Sequence, residues 1–179
     1  MARVPLLETD DLPEDYRYLF EDNELGVLNL FRALGNNPPV LQSYMRWGST
    51  LWQEAGIDDR RVELVILTVA SHLDAQYEWH QHAEAGLDAG LSPTELQSIH
   101  RAAFDELEEM DAVLARLAVA CVDGTVDDAL FNAVADRFDT WTVVGVTLLA
   151  AHYLLTARVI QAFDLKPEDG FVGWGLENA

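Results

Sequence analysis

Apolar residues recur along this chain at spacings of three and four. Alternation of apolar and polar residues over roughly 4–8 positions, the mark of a half-buried strand, is hard to find. That one feature restricts the chain to helices packed on helices. Helix starts are marked by side chains able to accept hydrogen bonds from the free N–H groups of a first turn. The sequence "SPTEL" at 92–96 is the clearest, with Ser92 as cap, Pro93 at the first helical position and Glu95 completing a reciprocal box. Asp58 or Asp59, Asp74, Thr125 with Asp128, and Asp139 or Thr140 are the other expected caps, and "DDLPED" marks a start near residue 12. Stops fall at Gly35–Pro39, Gly56, Gly90, Gly124 and Pro167.

These signals predict an all-α fold with helices at 12–20, 24–34, 38–55, 59–72, 75–89, 93–103, 106–122, 126–137 and 140–163, some of them merging. No repeat, low-complexity tract or linker interrupts them, so residues 1–179 read as one domain. The longest apolar runs read as short of the roughly 18 residues that span a bilayer. The start of the chain is acidic after Pro5 and lacks the basic flank and apolar run of a signal peptide. The expectation is a cytoplasmic protein.

Charge narrows the partners. There are 31 acidic residues against 11 basic ones, of which only Lys166 is lysine, giving a net charge of −20. Such a surface repels phosphate, so neither nucleic acid nor an anionic membrane is an expected partner. The acids are spread along the chain rather than gathered in a tail, which reads as a solvation device of the kind halophiles use. The expectation is a protein that needs molar salt to stay folded. Cys121 is the only cysteine, which excludes an intramolecular disulfide and a cysteine-based zinc site. In "LARLAVACVDG" it reads as a buried, inert thiol.

Chemistry concentrates in "DAQYEWHQHAEAGL", residues 74–87. With Asp74 as cap, Glu78 and His82 lie four apart on one helical face, while His80 points to nearly the opposite side. The pair is either a surface contact worth about 0.2–0.5 kcal/mol or half of a site. Glu63, set among apolar residues in "RRVELVILTVASHL", is either a first-turn glutamate favoured by the helix dipole or a second carboxylate of that site. On one straight helix Glu63 and Glu78 would be roughly 22 Å apart, so they meet only if the chain turns near 72–75, at "SHLD". A di-iron bundle needs Glu-x-x-His, whereas here the spacing is Glu-x-x-x-His and occurs once; no metal and no cofactor is expected. His72, His100 and His152 each stand alone on their helices and read as satisfied or solvated, His152 beside Tyr153 being the least settled. No phosphate-binding glycine loop or nucleophile elbow appears. Trp174, in "KPEDGFVGWGLENA", is expected to dock on a neighbour or on a second subunit.

Taken together, "RRVELVILTVASHLDAQYEWHQHAEAGLDAGLSPTELQSI" resembles the core of the carboxymuconolactone decarboxylase family, which includes the alkylhydroperoxidase-D-like proteins. The flanking "LGNNPPVLQSYMRWGSTLWQEAGI" and "LFNAVADRFDTWTVVGVTLLAAHYLLTARVIQAFDL" extend the resemblance over roughly residues 24–165. It implies an alkylhydroperoxidase-D-like helical bundle of about seven to nine helices that assembles into homo-oligomers. The peroxidase branch carries a glutamate, two cysteines three apart and a histidine four residues past the second. Aligned on His82, those cysteines fall on Ala75 and Glu78, and the glutamate on Glu63. The proton-relay ends are kept and both thiols are missing, and a thiol peroxidase needs a reactive thiolate.

The branch without cysteines, which often shows Glu-Trp-x-x-His, is the more similar. Its named activity is loss of carbon dioxide from a carboxymuconolactone, which leaves a carbanion for an acid to protonate. The resemblance therefore implies catalysis by Glu63, Glu78 and His82, acting on a small carboxylated lactone or related acid by decarboxylation or isomerisation. His82 would be the proton donor, Glu78 would hold its tautomer and raise its pKa, and Glu63 would extend the relay. Tyr77 and Trp79 would line or support the pocket, with plain core packing as the other reading of Trp79. Arg46, with Arg60 and Arg61, would draw an anionic substrate to an anionic protein. The rival expectation is a non-catalytic ligand-binding or assembly protein that buries the same residues in structural hydrogen bonds.

Overall fold

The computed structural model describes residues 2–21, 28–168 and 170–176. Over these the chain forms nine α-helices, short 3-10 turns and no strand. In order they are α1 (Tyr18–Glu21), α2 (Asn29–Leu34), α3 (Pro38–Glu54), α4 (Asp59–His72), α5 (Gln76–Asp88), α6 (Pro93–His100), α7 (Glu109–Asp123), α8 (Asp128–Ala135) and α9 (Thr140–Phe163). None of the expected helices merges with another. The expected beginning of the second helix, at 24, lies outside the described residues.

Side-chain chemistry sets most of the starts. Asp58 accepts from the Arg61 N–H and Asp139 from the Thr142 N–H, and the Ser92–Glu95 box forms in both directions. Two expected caps do not form, for one shared reason. Asp74 belongs to the exit of α4: it sits at φ 53, its N–H bonds Ser71 O, and the Ala75 N–H closes back on Ala70 O at 2.8 Å. Helix α5 therefore begins at Gln76 with Ala75 at its cap and no side-chain bond there. Thr125 likewise closes α7, its N–H reaching Ala120 O at 2.9 Å past the left-handed Gly124, and Asp127 caps α8 instead.

Helix α4 runs through the middle of the molecule, against α5, α6, α7 and α9. Every residue from Val62 to Ala70 is buried, as befits a helix that is apolar nearly all round. Each fully buried leucine or isoleucine there contributes about 1.5–3 kcal/mol relative to exposure. At its N-terminal end α4 is tied to α7 by Asp111, which is fully buried and takes Arg60 on one oxygen at 2.7 Å and Arg61 on the other at 2.8 Å. The packing of α4 on α5 depends on Gly86: a Cβ there would lie 2.9 Å from Leu67 Cδ1 and 3.1 Å from Leu91 Cδ1.

Helix α9 departs from the sequence expectation about apolar runs. It has 24 residues with a mean hydropathy of 1.7 over its most apolar window, enough by length and composition to cross a bilayer. It instead packs on α3, α4, α7 and α8, and 56% of that window is buried within the protein. The segment after α9 folds back over α5 and α6. Trp174 stacks on His100 at 4.8 Å and meets Trp79 at 5.3 Å, so the tryptophan docks within its own chain.

Candidate active site

The turn at Leu73–Ala75 lays α5 back along α4 and brings Glu63 and His82, 19 residues apart, into contact. His82 Nδ1 lies 3.0 Å from Glu63 Oε2, and His82 Nε2 lies 3.7 Å from Glu78 Oε2. A carboxylate only accepts, so Nδ1 carries the proton and Nε2 faces Glu78. The three side chains expected to act together therefore converge, and it is Glu63, not Glu78, that hydrogen-bonds the imidazole. The helical spacing put Glu78 on the right face, yet the distance that defines the tautomer is set across helices.

Burial governs the electrostatics. Glu63 is 1% exposed and Glu78 is 4% exposed. Burial pushes the Glu78 carboxyl up to about 7; the His82 charge opposes this and the Glu63 charge adds to it. Burial works against the His82 imidazolium, but the hydrogen bond and charge of Glu63, with the charge of Glu78, outweigh it and raise its pKa. The neutral and charged forms of Glu78 are thus both accessible near neutral pH, the condition for moving protons. Glu63 Oε1 is buried without a hydrogen-bond partner, and Glu78 makes no hydrogen bond among the described residues.

The triad forms one wall of a cavity of about 530 Å³. Exposed Ser49 and Gln53 line it, so it reaches the surface. Its other walls come from α2, α3 and α9, chiefly Phe31, Tyr44, Met45, Trp52, His152 and Tyr153. Tyr153 sets its ring edge-on to His82 at 5.1 Å, and its hydroxyl accepts from Trp52 Nε1 at 2.8 Å. Tyr44 and Thr156 share a hydrogen bond of 2.5 Å beside His152. Burial pushes His152 down to about 4, which keeps it neutral at physiological pH. Gly48 gives it room, since a Cβ there would lie 3.2 Å from His152 Nε2.

These walls were missed in the sequence. The available signal was polar: His152, Tyr153 and Thr156 share one side of an otherwise apolar helix, at a spacing of one and four.

The predicted binding residues lie elsewhere. Trp79 is fully buried and donates to Gly173 O, so it is core and not pocket wall. Tyr77 supports the cavity without lining it. Its hydroxyl takes the N–H of Leu30 at 3.2 Å and donates to Glu168 Oε1 at 2.8 Å. Glu168 also accepts from the Asn29 N–H and from Gln81 Nε2, a cavity residue, and so ties α2, α5 and the segment after α9 together. Arg46 is exposed on α3 and absent from the lining, and Arg60 and Arg61 are engaged by Asp111. Their side chains cannot turn toward the cavity without leaving a buried carboxylate unpaired. Among the described residues no arginine or lysine lines the cavity.

His72 pairs with Asp123 at 2.8 Å, and His80 Nδ1 accepts from the Val172 N–H. Cys121 is half-buried on α7, outside the cavity, with its thiol pKa raised by burial. Among the described residues no group of three or more His, Cys, Asp or Glu is placed to hold a metal ion.

The family model of the carboxymuconolactone decarboxylase family matches residues 38–120, the stretch carrying α3 to α7 and all three triad residues. Solved structures share the fold over almost the whole chain. An uncharacterized peroxidase-related protein from Ralstonia eutropha JMP134, with an alkylhydroperoxidase AhpD core, superposes at a TM-score of 0.83 and 15% identity, over 97% of this chain and 96% of that one. A peroxidase-related protein from Silicibacter sp. TM1040 gives 0.83 at 17% identity, over 96% and 94%. The debrominase Bmp8, as a cysteine-to-alanine variant in complex with 2,3,4-tribromopyrrole, gives 0.77 at 17% identity, over 92% and 91%. No curated protein matches the sequence. Residues 38–120 are thus similar to the carboxymuconolactone decarboxylase family, and the chain shares the helical fold of AhpD-like proteins.

Proposed function

We propose that this chain is an acid–base enzyme that moves a proton on a small cyclic substrate held over His82, without a thiol step. The observation that carries the reading is the convergence of Glu63, His82 and Glu78 on a cavity that reaches the surface. Glu63 holds Nδ1, so Nε2 is the atom that exchanges protons with substrate. Glu78, poised near neutral pH, is the second proton station. In an isomerisation, one of the two groups takes a proton from a ring carbon and the other returns it at the far end of the delocalised anion. In a decarboxylation, the C–C bond breaks, its electron pair stays on the ring, and His82 supplies the proton that replaces carbon dioxide.

Of these, isomerisation is favoured, because no arginine or lysine among the described residues lines the cavity to hold a substrate carboxylate. The tribromopyrrole complex of Bmp8 supports a small ring as ligand on this fold.

The test is hydrogen–deuterium exchange into a panel of cyclic C–H acids and lactones in D2O, followed by NMR. We expect exchange that His82→Ala slows by about 10²–10⁴-fold while folding is retained. Exchange at an undiminished rate in that variant rejects the site. No exchange by the native protein on any member moves the balance to a ligand-binding protein.

A further inference from the structure

Resting on the proton-transfer reading of the same site, we propose that its substrate is an uncharged, flat ring carrying one N–H or O–H donor, such as a phenol or an N–H azole, and not a carboxylate. The first ground is charge. Two carboxylates and two imidazoles line the cavity, and with His152 kept neutral by burial its one potential cation is His82, already flanked by both carboxylates. No guanidinium or ammonium lines it, and none of the residues outside the described set is a lysine or arginine. A carboxylate-bearing molecule would lose its water and meet a His82 whose charge Glu63 and Glu78 already face.

The second ground is shape and polarity. Between the triad and His152 the walls are Phe31, Tyr44, Met45, Trp52 and Tyr153, surfaces that accept the faces and edges of a ring.

The third ground is unmet hydrogen bonding. Glu78 is almost wholly buried, lines the cavity and has no hydrogen-bond donor among the described residues, and one oxygen of Glu63 is an orphan. Of these oxygens, those of Glu78 face the cavity and can take a donor from a ligand or from water. Across the cavity, the ring nitrogens of His152 also have no hydrogen-bond partner among the described residues, while Gly48 and Tyr44 hold the ring in place. A neutral imidazole offers one donor and one acceptor, which suits an uncharged ring, and brings no charge to hold an anion.

A matched trio of probes tests this: p-cresol, p-toluate and p-xylene, equal in ring size and differing only in the group para to a methyl. Binding is measured by calorimetry at neutral pH, with the imidazole resonances of His82 and His152 followed by NMR and assigned with His82→Gln and His152→Gln. We expect p-cresol to bind at least about tenfold more tightly than either of the others and to shift both imidazoles. Glu78→Leu should abolish the preference over p-xylene. Equal or tighter binding of p-toluate, parity of p-xylene with p-cresol, or no binding of p-cresol at millimolar concentration overturns the inference. If p-toluate wins and still shifts His82, only the substrate class falls and the proton-transfer reading stands. If p-cresol binds without moving His82, the cavity over the triad is not its site and both fall.

Discussion

At the scale of single residues, the site rests on one hydrogen bond between buried groups. The imidazole of His82 stays basic because Glu63 offsets its burial. In Glu63→Gln, desolvation acts with only Glu78 against it, and the His82 pKa measured by NMR should fall. An unchanged value would mean that Glu63 is not its electrostatic partner.

Glu78 gives a second prediction. Its folded-state pKa of about 7 lies above its ordinary 4.5, so the folded chain keeps a proton that the unfolded chain releases. Stability is therefore lost as pH rises through that window, by on the order of 3 kcal/mol if the shift is fully expressed. His82 contributes with the same sign, its stabilisation being present below its ordinary 6.5 and lost as pH rises through its elevated folded value. Glu78→Gln should flatten the fall of melting temperature between about pH 5 and pH 8. An identical slope in native protein and variant would contradict the raised pKa.

At the scale of elements, two helices and the turn between them make the triad, and this much was legible in the sequence. Helix rise alone required a break between Glu63 and Glu78, and "SHLD" was the place for it. What was not legible was which side of the turn Asp74 serves, since a left-handed exit residue and an N-cap draw on the same small polar side chains. The far wall was illegible for another reason. Tyr44, Trp52, His152 and Tyr153 sit on α3 and α9, and aromatic residues on apolar helices read as core until the space beside them is seen. Trp79 shows the converse: it stands next to Glu78 in the sequence and belongs wholly to the core. The approach of α5 to α4 is also testable. Gly86→Ala gains helix propensity of about 1 kcal/mol, but the methyl meets Leu67 and Leu91 too closely, and overpacking costs about 1–3 kcal/mol. We expect a lower melting temperature and a weakened Glu63–His82 contact, read as a downward move of the His82 pKa. A higher melting temperature would show that the interface has room to spare.

At the scale of the whole molecule, a net charge of −20 on 179 residues must be screened. The melting temperature should rise between low and molar KCl, and a flat or falling response would remove the halophilic reading. The homo-oligomer that the family resemblance implies has a surface on which to be sought. Trp141, Val144, Leu148 and Leu155 form an exposed apolar stripe along α9. Light scattering should give a multiple of 20.0 kDa, and Leu148→Glu with Leu155→Glu should return it to one chain mass. A native protein already at that mass would set assembly aside.

Glu168 carries a consequence for the order in which the protein is made. It joins the backbone of Asn29 to Tyr77 and Gln81, so residues near both ends of the chain meet at the wall of the cavity. The triad itself is encoded between residues 63 and 82, on the helices α4 and α5 that leave the ribosome well before the brace. The pocket that would hold a substrate lacks this brace until residue 168 has emerged as well. A nascent chain thus acquires its reactive groups long before a finished place to use them, and translation itself delays the site's full assembly.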